Sequence, residues 1–310
     1  MSALAGFGHY LPAGVLSNET LASEFHVTPE WIVSVCGIET RRVVAAGETV
    51  CDLAERAALA CLQDAGITAN KLGAIIACTG TPHRQFPGVS AEVQKRLNAP
   101  GIPAFDLHLA SISGLFGLAI ADRMCEQWGP TLVVAAEAMT RVMAQEPRVK
   151  ESAILFGDGA GACLVTRGDA PLAIRDVRIA SDATFSDALR LDFGSTLQMD
   201  GRTIIMHAVR KLARAVAELL ERNSLRVDQV GLFLFHQANL RLLERLMKEL
   251  KVDPSQCFIN GDRYGNTSSA SWLIAASEAK AAGLLRTGMK VVIAAFGAGL
   301  SWGAALVEVV

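Results

Sequence analysis

The 310-residue sequence lacks a strong charge of either sign, because 29 basic and 31 acidic side chains leave a formal net charge of −2. A balanced charge gives no sign of polyanion binding, so nucleic acid is not an expected partner. Metal-binding patterns are also missing: seven cysteines are scattered without a CxxC pair, and there is no HExxH motif. We therefore expect no metal site and predict that the cysteines are reduced thiols of the core.

Export and membrane signals are absent as well. The N-terminal segment MSALAGFGHY has neither the basic region nor the long apolar stretch of a signal peptide, so a cytoplasmic protein is expected. A run of 17 uncharged residues, 291–307, contains three glycines. We predict two buried strands joined by a glycine turn there rather than a membrane span.

Phosphate-binding loops are the third missing class. The sequence has no Walker-type loop, and the glycines of GDGAG, 157–161, precede a strand-like segment rather than a helix. A dinucleotide-binding loop needs that helix, because its N-terminus holds the pyrophosphate. A β-hairpin turn is predicted at these glycines instead.

Small and aliphatic residues are abundant: 51% of the chain is hydrophobic, 6% is aromatic, and 27 residues are glycine. This is typical of a compact α/β protein. Helical patterns alternate with short runs that are apolar on both faces, as in strands covered by helices on both sides. The runs predict a parallel or mixed sheet, and they lie at 72–78, 104–109, 132–136, 230–235 and 291–295.

The order of these elements is duplicated. FDLHLAS in the first half and FINGDRYGNTS in the second each lead into a helix of small residues, then a strand, then a glycine-rich hairpin pattern. Such a repeat predicts two related halves, which we place at residues 1–168 and 169–310. Each half has a short polar segment at the start of a helix rich in Ala, Ser and Gly, so both helix starts are candidate walls of a site.

Four segments of the sequence are informative together, and they are ILFGDGAGACLV from Ile154, HQANLRLLERL from His236, DRYGNTSSAS from Asp262 and FGAGLSWGAALV from Phe296. They resemble the signature segments of the β-ketoacyl-acyl carrier protein synthase III family, and the likeness spans nearly the whole chain. It implies a thiolase-like α/β fold, in which two duplicated βαβαβαββ halves pack in αβαβα layers. It also implies a homodimer that uses coenzyme A or phosphopantetheine thioesters as substrates and needs no cofactor.

The resemblance implies a catalytic centre at the bottom of a pantetheine tunnel. His236 and Asn266 match the family's histidine and asparagine, which would donate hydrogen bonds to the thioester carbonyl of a malonyl group. An ungapped alignment places Ser111 where the family has its nucleophilic cysteine. Because a hydroxyl stays protonated at neutral pH, His236 is also the candidate base for Ser111. The backbone at Ala298 and Gly299 would complete an oxyanion hole with the N–H of Ser111.

Binding roles are implied for five further side chains. By resemblance, Trp31 stacks on the adenine of coenzyme A and Phe86 reaches across a dimer interface to cap the acyl pocket, although either position also suits a core residue. Arg241, Arg245 and Lys248 are spaced i, i+4, i+7 and should share one helix face. Arg241 would bind substrate, while Arg245 and Lys248 would dock an acidic carrier protein. An ordinary solvated face has the same spacing.

Serine at position 111 leaves three functions open, since a hydroxyl is a weaker nucleophile than a thiolate. In the first, an acyl group passes from acyl-coenzyme A or acyl-carrier protein to residue 111 before decarboxylative condensation with a malonyl thioester, and an enzyme inactivated by the serine is one form of this alternative. The second is a serine-dependent acyltransferase that makes esters or amides, and the third is a non-catalytic thioester-binding partner subunit. Retention of His236 and Asn266 favours condensation. Val35 and Met206 stand where many members are basic, which favours a carrier protein as donor or acceptor.

Overall fold

A computed structural model describes residues 1–310. Its strands are β1 (Ser2–Tyr10), β2 (Gly14–Ser17), β3 (Thr40–Val43), β4 (Ala74–Cys78), β5 (Ala104–Leu107), β6 (Thr131–Ala138), β7 (Asp158–Arg167), β8 (Leu172–Ser181), β9 (Leu189–Arg190), β10 (Gln198–Met199), β11 (Leu232–Phe235), β12 (Lys290–Gly297) and β13 (Ser301–Val309). Its helices are α1 (Asn18–Phe25), α2 (Pro29–Cys36), α3 (Val50–Asp64), α4 (Val89–Arg96), α5 (Ser113–Trp128), α6 (Met139–Met143), α7 (Lys150–Ala153), α8 (Gly201–Arg222), α9 (Leu240–Leu250), α10 (Gly261–Tyr264) and α11 (Ser271–Ala281).

Nine strands form one mixed sheet in the order β11-β12-β13-β8-β1-β7-β6-β4-β5. Strands from the first part of the chain occupy one side of the sheet, and strands from the second part occupy the other. The two sides are joined where β1 pairs with β8, at Ala3–Ala173 and Leu4–Leu172. Each of the five predicted apolar runs coincides with a strand of this sheet over most of its length. The boundary at residue 168 stays a prediction.

Helices and strands alternate in five layers, three of helices and two of strands. One apolar cluster joins α3 and α4 to β4, β6 and β7, and another joins α8 and α9 to β11, β12 and β13. A central cluster contains α5 and α11, with strands from both parts of the chain on either side. β12 shows the arrangement at residue level: Val291, Ile293 and Ala295 face the central cluster, whereas alternate residues face α8 and α9. The predicted αβαβα order is therefore confirmed.

The glycine run 157–161 is not a hairpin turn, so that prediction was wrong. Residues from Asp158 onward form the start of β7, which lies between β1 and β6. A Cβ on Gly161 would lie 2.5 Å from the Cβ of Leu273 and 2.9 Å from the amide nitrogen of Ile274. Gly161 has no side chain because α11 lies directly on this strand, which the local sequence does not reveal.

The uncharged run 291–307 forms the predicted pair of buried strands. Antiparallel β12 and β13 pair from Lys290–Glu308 to Gly297–Ser301, and a short turn joins them. No helix of the protein combines the length and the apolar character that a membrane crossing requires.

Local capping fixes α2, which carries Trp31. The Thr28 hydroxyl accepts a hydrogen bond from the Trp31 amide, Pro29 occupies the first turn, and Gly37 ends the helix with a left-handed φ of 75°. A Cβ on Gly37 would lie 2.7 Å from the Cβ of Leu240 at the start of α9. The glycine thus ends α2 and also lets it approach α9.

Candidate active site

Ser111 lies in a tight 3-10 turn, Ala110–Ile112, between β5 and α5. Ala110 adopts a left-handed φ of 50°, which redirects the chain from the strand into the helix. Ser111 is buried beside the N-terminal end of α5, where backbone N–H groups favour negative charge. Its hydroxyl oxygen lies 3.4 Å from the hydroxyl oxygen of Ser268.

The second half provides a turn of the same kind. Residues 268–270 form a 3-10 turn that leads into α11, and Ser268 has a left-handed φ of 49°. The start of α5 is in contact with this second turn, because a Cβ on Gly114 would lie 2.7 Å from the carbonyl oxygen of Ser269. The two predicted helix starts therefore meet at one place in the core.

His236 directly follows β11, and its amide donates to the carbonyl of Ala294 on β12 at 2.8 Å. The next residue, Gln237, holds this segment by donating from its amide to the Ser271 hydroxyl at 2.8 Å. The His236 ring is buried, and its Nδ1 has no hydrogen-bond partner. Burial lowers the pKa of His236 to about 4, so the ring is neutral at neutral pH and has one N–H to donate.

Asn266 is held on both sides by backbone hydrogen bonds. Its amide donates to the carbonyl of Leu155 at 2.8 Å, and its carbonyl accepts from the amide of Gly157 at 3.1 Å. The side-chain oxygen accepts a hydrogen bond from the Ser268 amide at 2.8 Å. Because that oxygen is occupied, the carboxamide presents its NH₂ group as a hydrogen-bond donor to a ligand.

Arg41, which is completely buried, binds the backbone at Ile154, directly before the residues 155–157 that hold Asn266. Its Nε donates to the carbonyl of Ile154 at 3.1 Å, and its guanidinium also bonds to Asn18. Burial lowers the pKa of Arg41 to about 10, which still leaves it charged at neutral pH. A buried cation thus fixes the backbone that positions Asn266.

Two cavities meet at Ser111. The first cavity, with a volume of about 260 Å³, is lined by Ser111, His236 and Asn266 together. Trp31 and Val35 on α2 also line it. The structure therefore brings the three predicted catalytic residues to one cavity, although no hydrogen bond joins Ser111 to His236.

The second cavity has a volume of about 290 Å³ and shares Ser111 with the first. Ala298 and Gly299 line it, close to the turn between β12 and β13. Its other walls are mainly apolar, and they come from Leu109, Met139, Phe156, Leu189, Leu191 and Leu197. Both cavities are therefore mainly apolar, and they meet at the Ser111 hydroxyl.

The remaining predicted residues lie outside both cavities. Phe86 is 83% exposed. Arg241 turns toward α2, where its Nη2 donates to the carbonyl of Val33 at 3.0 Å. Arg245 instead lines a groove between α8 and α9, and Lys248 is exposed on α9 without lining either cavity. The three basic residues of α9 therefore have different surroundings despite their helical spacing.

Sequence reasoning missed several wall residues. Ser268 lies within the GNTSSAS segment but was given no role, because its contact with Ser111 joins distant parts of the chain. The hairpin of β9 and β10, which contributes Leu189 and Leu197, has no strong local signal because its strands are two residues long. The ammonium of Lys150 lies 5.0 Å from the centre of the Trp31 ring, a contact that the sequence does not predict.

Comparison with known proteins settles the family. A family profile described as 3-oxoacyl-[acyl-carrier-protein] synthase III matches residues 105–183, and the profile of its C-terminal part matches residues 220–309. A β-ketoacyl-[acyl-carrier-protein] synthase III of Rhodospirillum centenum is 38% identical over 320 residues, covering 99% of this chain and 98% of the relative. This chain belongs to the synthase III family.

Solved structures of synthase III proteins have the same fold. The 3-oxoacyl-[acyl-carrier-protein] synthase III of Aquifex aeolicus VF5 is 34% identical, with a TM-score of 0.95 and coverage of 99% of this chain and 100% of the other. The priming β-ketosynthase from the R1128 polyketide biosynthetic pathway is 30% identical, with a TM-score of 0.92 and coverage of 100% and 96%. The predicted family and its thiolase-like fold are thus confirmed.

Proposed function

We propose that this synthase III homologue is an acyltransferase that loads an acyl group from acyl-coenzyme A or acyl-carrier protein onto Ser111. It then condenses that group with a malonyl thioester, with loss of carbon dioxide. The observation that carries the proposal is the convergence of Ser111, His236 and Asn266 on one cavity. The names of the relatives, which are β-ketoacyl-[acyl-carrier-protein] synthases III, support the same reaction.

The two cavities have separate tasks in the first half-reaction. The pantetheine arm of the donor enters the first cavity, and its acyl chain lies in the second, apolar cavity. Ser111 stands where they meet, so its oxygen attacks the thioester carbonyl and the thiol leaves through the first cavity. Backbone N–H groups of Ser111 and of the Ala298–Gly299 turn stabilise the oxyanion.

His236 and Asn266 act in the second half-reaction. A malonyl thioester in the first cavity places its carbonyl oxygen between the N–H of the neutral imidazole and the NH₂ of the carboxamide. Both donors stabilise the enolate left when carbon dioxide departs, and neither must lose a proton to do so. The carbanion then attacks the acyl carbon, the ester C–O bond to Ser111 breaks, and the serine oxygen takes up a proton from solvent.

We further propose a homodimer that is formed through the edge of the sheet. β5 is the last strand of the nine and has no partner on its outer side. An uncovered strand edge is a ready surface for pairing with another chain. Phe86 in a second copy would then cap the second cavity, in keeping with its exposure in the single chain.

The groove between α8 and α9 is the proposed docking surface for an acidic carrier protein. It has a volume of about 1080 Å³. Ile205 lines both this groove and the first cavity, so the two lie next to each other. Negative charge on the partner would complement its basic residues. These are Arg202, Arg210, Arg214 and Arg245.

Reversing one charge in this groove should affect carrier-bound substrates selectively. We expect Arg245→Glu to raise KM for malonyl-carrier protein about tenfold at low salt and to leave KM for malonyl-coenzyme A nearly unchanged. Lys71→Glu is the matched control, because Lys71 is exposed just before β4, at the end of that strand opposite the site. Equal effects of Arg245→Glu on both substrates would rule out docking in the groove.

Product analysis tests the proposed function. The protein is mixed with a short-chain acyl-coenzyme A and malonyl-carrier protein, and the β-ketoacyl product and carbon dioxide are measured. We expect the two in equal amounts. An acyl group passed to an alcohol or amine without carbon dioxide would instead identify a serine-dependent acyltransferase. Absence of both an adduct and carbon dioxide would identify a thioester-binding partner subunit.

A further inference from the structure

Acylation of a serine requires a route for the hydroxyl proton, and Ser111 is not hydrogen-bonded to the expected base. No hydrogen bond links Ser111 to His236, although both line the first cavity. Burial also lowers the pKa of His236 to about 4, which makes its ring a weak base at neutral pH. The group beside the Ser111 hydroxyl is another hydroxyl, that of Ser268, at 3.4 Å.

Ser268 is held firmly in this position. Its amide donates to the side-chain oxygen of Asn266 at 2.8 Å. The following residue, Ser269, donates from its hydroxyl to the buried Glu137 carboxylate at 2.6 Å. That carboxylate also accepts from the Gly80 amide at 3.0 Å and from the Thr81 hydroxyl at 2.7 Å. The Ser268 hydroxyl is therefore presented by a turn that is fixed on both sides.

The turn conformations point the same way. Ala110, next to Ser111, and Ser268 have left-handed φ angles of 50° and 49°, although neither is a glycine. Non-glycine residues persist in this region only where the surrounding structure enforces it, often at functional sites. Here two enforced turns from opposite halves of the chain bring two buried hydroxyl groups together.

We propose that Ser268 relays the proton of Ser111 during acylation. As the Ser111 oxygen bonds to the acyl carbon, its proton passes to the Ser268 oxygen. The Ser268 proton passes to the departing sulfur, which takes the electron pair of the broken C–S bond. The products are an acyl ester on Ser111, a free pantetheine thiol and an unchanged Ser268. No other base is needed, because the leaving thiolate is the final proton acceptor.

This inference rests on the proposed function and makes a distinct statement about the nucleophile. A cysteine at position 111 would attack as a thiolate, which the N-terminus of α5 favours. A thiolate has no proton to transfer, so it would gain nothing from Ser268. The Ser268 hydroxyl should therefore matter for a serine at position 111 and not for a cysteine.

A double-mutant cycle tests the relay. The rate of acyl-enzyme formation is measured by rapid mixing with acyl-coenzyme A and intact mass for the parent, Ser268→Ala, Ser111→Cys and the double variant. We expect Ser268→Ala to slow acylation about 100-fold in the parent and less than about threefold in the cysteine background. The alanine retains the amide that holds Asn266, so only the hydroxyl is lost.

Ser181→Ala is the matched control, since it removes one hydroxyl of another serine pair, 2.8 Å from Ser301, outside both cavities. It should leave the acylation rate unchanged, and all variants should show Tm values near that of the parent. If the parent forms the acyl-enzyme and Ser268→Ala does not slow that step, the relay is overturned and the proposed function is not. The same holds if Ser268→Ala slows acylation equally in the serine and cysteine backgrounds. A parent that forms no acyl-enzyme would overturn the proposed function with it.

Discussion

Ser111→Ala is expected to abolish the acyl-enzyme and to lower the rate of condensation by about 1000-fold or more. The variant lacks the only side chain proposed to hold the acyl group between the two half-reactions. His236 and Asn266 keep their positions, because their hydrogen bonds to the backbone do not involve Ser111. Carbon dioxide release from the malonyl thioester should therefore continue without product formation. Both quantities are measured in one reaction with labelled malonyl-carrier protein.

The control for this variant is Ser113→Ala. Ser113 is also buried at the start of α5, but its hydroxyl donates to the carbonyl of Ala110 at 2.6 Å and lines neither cavity. Its loss should cost far less activity than loss of Ser111. If Ser111→Ala formed as much β-ketoacyl product as the parent, residue 111 would not be the nucleophile.

Asn266→Asp should slow carbon dioxide release about 100-fold or more while leaving acylation of Ser111 largely intact. The substitution keeps the shape of the side chain and an oxygen that can accept from the Ser268 amide. It replaces the NH₂ donor by a carboxylate oxygen, which repels the negative enolate instead of stabilising it. Release of carbon dioxide and the mass of the acyl-enzyme are followed separately in rapid-mixing experiments.

His236 adds a dependence on pH to the same step. Burial lowers its pKa to about 4, below the ordinary value of 6.5, so the ring gains a proton only as the pH falls toward 4. The rate of carbon dioxide release should therefore be flat between about pH 5.5 and pH 8. A bend near pH 6.5 that disappears in His236→Ala would show an unshifted histidine. For Asn266→Asp, an equal loss of acylation and of carbon dioxide release would contradict the proposed role of Asn266.

Much of the fold was predictable because local rules and tertiary packing agree. The apolar run at 291–295 forms a strand with two buried faces, and its alternate residues face different helix layers. The duplicated order of elements predicted that two helix starts would be equivalent. The structure shows that they also touch, through Gly114 and Ser269.

Other features depend on contacts that the local sequence does not encode. Gly161 is small because α11 lies against it, so a glycine run that resembles a turn is part of a strand. The spacing of Arg241 and Arg245 places them on one helix face. Arg241, however, donates to the Val33 carbonyl on α2, whereas Arg245 lines the groove between α8 and α9. The pairing of Ser111 with Ser268 spans 157 positions of sequence. Such partners are decided by which elements pack together.

The site of acylation is the most direct test of the account. After brief incubation with acyl-coenzyme A, the protein is digested and the acyl group is located by peptide mass, with and without neutral hydroxylamine, which cleaves thioesters faster than oxygen esters. We predict a hydroxylamine-resistant acyl group on the peptide that contains Ser111. None of the seven cysteines lines either cavity. An unmodified Ser111 peptide, or an acyl group on a cysteine, would contradict the account.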